Sequence, residues 1–145
     1  MFASIQKRMM KVGGLLLVLP LILAGCAGKD ETPVLPTKSW NDIEVTVQTR
    51  PPKIKAGMIE FMVLAAVQGR KPANDLVVSL KMEGSQKWHQ AIQDGFLGVY
   101  RRVVNVRDPA TDVLAVKLRL KKTDKEKTLY FPLAQQQTKM ESATQ

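Results

Sequence analysis

Apolar and polar residues alternate along most of the chain after residue 42, with the two-residue period of a β-strand. In the run where the alternation is clearest, Leu114, Val116, Leu118 and Leu120 are separated by small or basic residues. Residues 58–66 are apolar on both faces apart from Glu60, a pattern that is typical of a central strand. We predict seven strands, at residues 43–48, 58–66, 76–82, 88–93, 97–104, 114–121 and 129–133.

Turn-forming residues separate these runs. Asp94-Gly95 lies between two of them and predicts a β-hairpin. No stretch of helical period competes with the strands. The pattern therefore predicts an all-β fold, a seven-stranded immunoglobulin-like sandwich, with a small β-barrel as the alternative. Trp88 opens one of the runs and is predicted to fill the core.

The first 25 residues follow a different pattern. Lys7, Arg8 and Lys11 precede an apolar stretch at residues 12–23, and small residues come next. The stretch is shorter than the roughly 20 apolar residues that a membrane-spanning helix needs. This layout predicts a secretion signal at residues 1–25, a signal helix that is removed by cleavage.

The end of this signal carries a more specific pattern. Leu23-Ala24-Gly25-Cys26 resembles the lipobox of bacterial lipoproteins. The resemblance implies that the Cys26 thiol receives diacylglycerol and that the freed amine is acylated, which together anchor a protein stably. Ala27 follows at the position where Asp would resemble the signal for inner-membrane retention. The implied location is the cell envelope, lipid-anchored at the outer membrane and facing the periplasm.

Composition divides the rest of the chain. The residues after Cys26 are polar and interrupted by proline, which is typical of a flexible tether. The C-terminal residues are rich in glutamine and threonine, which favours disorder. We predict a lipidated tether at residues 26–39, the sandwich domain at 40–133 and a disordered tail at 134–145.

Charge indicates the kind of partner. The chain has 22 basic and 13 acidic residues, a net charge of +9. The predicted signal removes three basic residues, so 19 remain against 13 and the charge falls to +6. A basic face suits an acidic protein or an anionic envelope surface, and an exported protein meets little nucleic acid. A solvated outer face is the alternative. The predicted surface comprises Arg101, Arg102, Lys117, Arg119, Lys121 and Lys122.

The sequence contains no recognisable catalytic set. His89 is the only histidine and Cys26 the only cysteine. The sequence therefore has no cysteine in a catalytic position and no His/Cys spacing of the kind that binds zinc. A Gly-x-Ser-x-Gly motif and a glycine-rich phosphate loop are also missing. We therefore expect a non-enzymatic interaction or accessory module without a cofactor other than the lipid.

The segment 43–120 contains a series of residues that mostly favour turns, in the order Pro52, Gly57, Gly69, Pro72, Asp94, Gly95 and Tyr100. This order resembles that of the periplasmic YtkA-like and FixH-like domains. The resemblance implies an alternative function, a copper-binding accessory domain, with Met82 and His89 as ligands and Met58 or Met62 as further candidates. Thioether and imidazole groups suit copper. The nearby Lys81 and Lys87 would repel the copper ion. The alternative to a ligand role is that Met82 simply ends a core strand.

Overall fold

The computed structural model describes residues 34–68 and 70–136. These residues form an almost entirely β structure, in which every pair of neighbouring strands is antiparallel. The strands are β1 (Lys38–Trp40), β2 (Ile43–Arg50), β3 (Gly57–Val67), β4 (Lys71–Pro72), β5 (Leu76–Met82), β6 (His89–Gln90), β7 (Ile92–Asp94), β8 (Val99–Val106), β9 (Val113–Leu120) and β10 (Glu126–Pro132).

The strands form two sheets that face one another. Sheet A has the order β1-β2-β3-β8-β7, and the short β4 adds to the end of β3. Sheet B has the order β10-β9-β5-β6. The predicted all-β sandwich class is therefore confirmed, and the alternative of a single closed barrel is wrong.

The core lies between the two sheets. Along β2, Ile43, Val45 and Val47 are buried, while the residues between them face outward. Phe61 of sheet A and Phe131 of sheet B are both fully buried in the same apolar cluster. The two-residue period predicted this arrangement, because successive side chains of a strand point to opposite faces.

One predicted strand is divided between the sheets. The run at residues 88–93 becomes β6, which pairs with β5 in sheet B, and β7, which pairs with β8 in sheet A. Ala91 lies between them, buried, and its amide donates to the Val78 carbonyl at 2.8 Å. The predicted hairpin at Asp94-Gly95 is confirmed as the connection between β7 and β8.

The folded unit begins before residue 40. Leu35 is fully buried, and its amide donates to the Val47 carbonyl at 3.0 Å. Val34 forms a bridge with Gln48, and β1 pairs with β2. Residues 34–39, which the sequence placed in the flexible tether, are thus part of the sandwich.

The folded unit also extends past residue 133. Residues 134–136, assigned from the sequence to the tail, form a short helical turn. The buried Gln136 side chain donates from Nε2 to the Thr49 hydroxyl at 3.1 Å. The predicted signal, Cys26 and residues 137–145 lie outside the described residues. Within the part of the chain that the structure describes, no helix is sufficiently long and apolar to cross a membrane.

Candidate functional site

The outward side of sheet B carries a cluster that we call the basic face, comprising Lys81, Trp88, Lys117 and Arg119. Lys117 and Arg119 lie on β9 opposite Ser79 and Val77 of β5. The neighbouring β9 residues Val116 and Leu118 are fully buried on the other side of the sheet. The sequence predicts that Lys117, Arg119 and Lys121 share one strand face, and the burial of the alternate leucine and valine positions accounts for Lys117 and Arg119.

Trp88 lies between two cationic side chains on this face. The Lys117 ammonium group is 4.6 Å from the centroid of the Trp88 ring, and the Lys81 ammonium group is 4.8 Å from it. Both distances are within the range of a cation–π interaction. Trp88 is half-buried and is absent from the buried core cluster. The prediction that Trp88 fills the core is wrong, because Trp88 precedes β6 and packs on the outer surface instead.

Carboxylates partly neutralise the edge of the basic face. Arg119 pairs with Asp124 at 2.6 Å, and Lys122 pairs with Asp75 at 3.0 Å. Lys121 follows the last residue of β9, and its ammonium group donates to the Asn74 carbonyl at 3.4 Å. Lys121 therefore belongs to the turn after the strand.

Lys81 and Lys117 differ from these paired cations. The Lys81 ammonium group donates to the Ser85 carbonyl at 2.9 Å. Among residues 34–68 and 70–136, neither lysine has a carboxylate within ion-pair distance. Their positive charges remain uncompensated next to Trp88, which is an aromatic side chain of the type that dominates binding energy at interfaces.

The structure places the two predicted arginines on the other sheet. Arg101 lies on β8 and pairs with Asp94 at 2.8 Å and with Glu60 at 4.0 Å. Its Nε atom is buried without a hydrogen-bond partner within the described segments. Arg102 is half-buried opposite Phe61, at a position on the core-facing side of the strand. The six cations proposed from the sequence therefore do not form one surface, because β8 pairs with β3 and β9 with β5.

The outward side of sheet A is chemically different. A cavity of about 550 Å³ there is bordered by Arg101 and its carboxylate partners. Its apolar border consists of Met58, Ile92 and Val103, which are all exposed. This side of the sandwich thus combines internally paired charges with exposed apolar side chains.

The copper-ligand candidates divide into two groups. Met82 and His89 both border a cavity of about 140 Å³, and His89 lies opposite Leu80 on β5, two residues from Met82. Met58 and Met62 instead occupy outward positions of β3, whose alternate residues are buried. The structure thus brings Met82 and His89 together and separates them from Met58 and Met62.

The surroundings of Met82 and His89 supply few other metal ligands. Met82 is buried in the core cluster, and Lys81 and Arg107 border the same cavity. Within the described ranges, no three residues of the His, Cys, Asp and Glu types are grouped so as to hold a metal ion. Glu83 and Asp112 also border the cavity, so its lining combines two cations with two carboxylates around the thioether and the imidazole.

Tyr100, the second residue of β8, is hydrogen-bonded to the segment between β4 and β5. Its side chain is buried, and its hydroxyl donates to the Ala73 carbonyl at 2.6 Å. Burial raises the pKa of the Tyr100 phenol above its ordinary value of 10.0. Sequence reasoning noted Tyr100 only as a turn-associated residue, since nothing in its spacing indicated a hydrogen bond to a carbonyl 27 residues earlier.

The fold and these surfaces define the chain as an all-β sandwich with two outward faces of different character. No protein-family model matches the chain, and no curated protein matches it. Among solved structures, the crystal structure of a Br derivative of BhCBM56 is similar at 19% sequence identity and a TM-score of 0.40. The similarity covers 66% of this chain and 92% of the other. A likeness of this size carries no argument about function.

Proposed function

We propose that this chain is a lipid-anchored, non-enzymatic interaction module of the cell envelope, and that its basic face binds an acidic protein. The observation that carries the proposal is the pair Lys81 and Lys117 on either side of Trp88. Neither ammonium group meets a carboxylate in the described parts of the chain. A partner carboxylate placed there would meet two cations, and apolar groups next to that carboxylate would pack on the indole ring.

The proposed anchor rests on the lipobox-like sequence that ends at Cys26. A lipid on this residue would hold the sandwich at a membrane, and Ala27 favours the periplasmic side of the outer membrane. Confinement to a surface raises the effective concentration of the basic face toward neighbouring proteins. Weak contacts of the sandwich can therefore be sufficient for binding.

The size of the expected effect follows from the exposure of the basic face. Exposed ion pairs contribute at most about 1 kcal/mol each, whereas a buried aromatic side chain at an interface can contribute about 2 kcal/mol or more. Trp88 would therefore supply most of the affinity. Lys81 and Lys117 would increase the association rate and make binding sensitive to salt.

The proposal is tested by reversing charge on the basic face. In native membranes, a Lys81→Glu/Lys117→Glu variant carrying a photocrosslinker at Gln90 is compared with the unsubstituted chain and with Trp88→Ala. We expect crosslinked partner to fall by about tenfold or more in both variants. Crosslinking to the unsubstituted chain should also weaken as salt is raised.

The matched control is Lys53→Glu/Lys55→Glu, which makes the same charge change at exposed positions outside the basic face. Unfolding midpoints of all variants show whether the fold is retained. The proposal is contradicted if the Lys81/Lys117 and Trp88 variants, once shown to be folded, capture as much partner as the control.

A copper-binding accessory role, of the kind implied by the resemblance to YtkA-like and FixH-like domains, is the second candidate. The observation in its favour is that Met82 and His89 border the same cavity. Cu(I) titration of the chain against Met82→Leu/His89→Gln tests it. An affinity that falls at least about tenfold in the variant supports the role, and an unchanged affinity removes it.

A further inference from the structure

The turn between β7 and β8 exposes two large apolar side chains. Phe96 is 83% exposed and Leu97 is 70% exposed, and we call this pair the apolar tip. Neither side chain borders the cavities described above. Burying both would remove a large apolar area from water, a gain that the isolated fold does not realise.

Hydrogen bonds hold the turn in this exposing conformation. Asn74 donates from Nδ2 to the Phe96 carbonyl at 2.9 Å, and its Oδ1 atom accepts from the Gly98 amide at 2.9 Å. The Gln93 side chain donates to the same Oδ1 at 3.3 Å, and the Gly98 carbonyl accepts from the Ala65 amide at 2.8 Å. The apolar tip is therefore pre-organised, which lowers the entropy cost of inserting it into a partner.

Gly98 allows this turn to lie against the rest of the sandwich. A Cβ atom at position 98 would fall 2.3 Å from the Ala65 carbonyl oxygen and 3.1 Å from the Pro72 Cα atom. The turn thus packs directly on β4. Lys71, the other residue of β4, is exposed at this same end of the sandwich.

Further cations lie on the other side of the turn. Asn74, which bonds the Phe96 carbonyl, also accepts from the Lys121 ammonium group through its own carbonyl oxygen at 3.4 Å. Asp75 and Asp94 are the nearest acids along these segments, and both already pair with Lys122 and Arg101 respectively. Lys121 thus lies near the turn through Asn74, and Lys71 directly precedes Pro72, on which the turn packs. Among residues 34–68 and 70–136, neither lysine has a carboxylate within ion-pair distance.

We propose that the apolar tip enters the headgroup layer of an anionic lipid bilayer. An aromatic and an aliphatic side chain at the end of a turn suit the boundary between headgroups and acyl chains. Lys71 and Lys121 would contact the lipid phosphates, which lie on the water side of the acyl chains. Each basic residue at the membrane surface adds to binding. A bilayer provides both the apolar depth and the negative charge that this arrangement lacks.

The membrane contact of the apolar tip is compatible with the proposed lipid anchor at Cys26. The contact does not depend on the basic face. Seven residues lie between Cys26 and Val34, and the eight residue steps from one to the other span at most about 29 Å when extended. A lipid on Cys26 would thus keep the sandwich close to the same membrane. The tip would then fix the orientation in which the sandwich sits on that membrane.

The test places an environment-sensitive dye at the tip. The full chain carries Cys26→Ala, so that a Leu97→Cys substitution supplies the single thiol. The labelled chain is mixed with vesicles containing brominated phosphatidylcholine and about 30% phosphatidylglycerol. We expect bromine quenching at position 97 to be at least about twofold greater than in vesicles without phosphatidylglycerol.

Two comparisons make the result specific to the tip. A dye at Thr111→Cys, an exposed position in the turn between β8 and β9, controls for attachment through any other part of the chain. Phe96→Ser and Lys71→Glu/Lys121→Glu, each made in the chain labelled at position 97, should bring quenching down to the level seen at position 111. These residues are not part of the basic face, so failure of one proposal leaves the other testable.

Equal quenching at positions 97 and 111 overturns the proposal, as does quenching at position 97 that persists in the Phe96 and Lys71/Lys121 variants. A dye that is shielded by envelope proteins but insensitive to brominated lipid also contradicts it, because the occupant would then be a protein.

Discussion

At the scale of single residues, Tyr100 shows how the sandwich accommodates a buried polar group. Its hydroxyl is satisfied by the Ala73 carbonyl, so burial of the ring costs no unpaired donor. Ionisation would remove that donor and place a charge in the core. This is why burial raises the pKa of the phenol.

The raised pKa predicts how stability depends on pH. Above pH 10, the phenol ionises in the unfolded chain while it remains protonated in the folded chain. Its contribution to stability is therefore complete below that pH and is lost as pH rises through the folded-state pKa. We expect the free energy of unfolding, measured with urea between about pH 8 and pH 11, to fall less steeply in Tyr100→Phe than in the unsubstituted chain.

Tyr130 provides the control, because its side chain is 49% exposed on β10. At neutral pH, Tyr100→Phe should cost about 1 kcal/mol for the lost hydrogen bond, and Tyr130→Phe close to nothing. Parallel pH profiles for Tyr100→Phe and the unsubstituted chain would contradict this account of Tyr100.

Gly98 supports a second prediction at this scale. Gly98 and Gly84 both have positive φ, at 68° and 84°, but only Gly98 has atoms in the position of a Cβ. Alanine at either position should lower the free energy of unfolding by about 1 kcal/mol, because a positive φ is unfavourable for a residue with a Cβ atom. We expect Gly98→Ala to lose about 2 kcal/mol more than Gly84→Ala, because the Ala65 carbonyl must move. Urea denaturation measures both, and equal losses would show that the turn does not pack as described.

Single residues also mark the limits of sequence reasoning. The period of two correctly assigned Lys117 and Arg119 to one face, but it also placed Lys121 there, which follows the end of β9. It gave no information about Trp88, which lies just outside a strand, where periodicity no longer determines the direction of a side chain. The ion pairs of Arg101 with Asp94 and Glu60 depend on strand pairing, which the local pattern does not specify.

At the scale of elements, the long alternating strands were predictable and the short ones were not. The strands β2, β3, β5, β8, β9 and β10 each have at least seven residues and a buried alternate face. By contrast, β1 is short and polar, and β4 contains a proline. The change of sheet at Ala91 was also missed, because the sequence of a single predicted strand does not show which neighbour each half will pair with.

The N-terminal boundary of the sandwich yields a prediction at this scale. Leu35 is fully buried and precedes β1, so Leu35→Ala should destabilise the domain by about 2–4 kcal/mol. Ser39→Ala, at an exposed position of β1, should change the unfolding free energy by less than about 0.5 kcal/mol. A flexible tether at residues 34–39 would make both substitutions neutral, and thermal or urea unfolding distinguishes the two cases.

At the scale of the whole molecule, the sandwich has two outward faces with different chemistry. Within the described residues, Lys81 and Lys117 beside Trp88 on sheet B have no carboxylate partner, whereas Arg101 on sheet A is held by Glu60 and Asp94. The sequence predicted basic residues for binding but grouped those of both sheets together. The distinction required the pairing of β8 with β3 and of β9 with β5.

The proposed lipid anchor would hold this molecule at a membrane surface, and the covalent state of Cys26 is the most direct test of that proposal. Mass spectrometry of the N-terminal peptide from natively expressed protein should show a chain that begins at Cys26. That residue should carry a diacylglycerol thioether and an acylated amine, and globomycin treatment of the cells should preserve the leader. A peptide that retains residues 1–25 without such treatment, or an unmodified Cys26 at the mature terminus, would contradict the proposed lipid anchor.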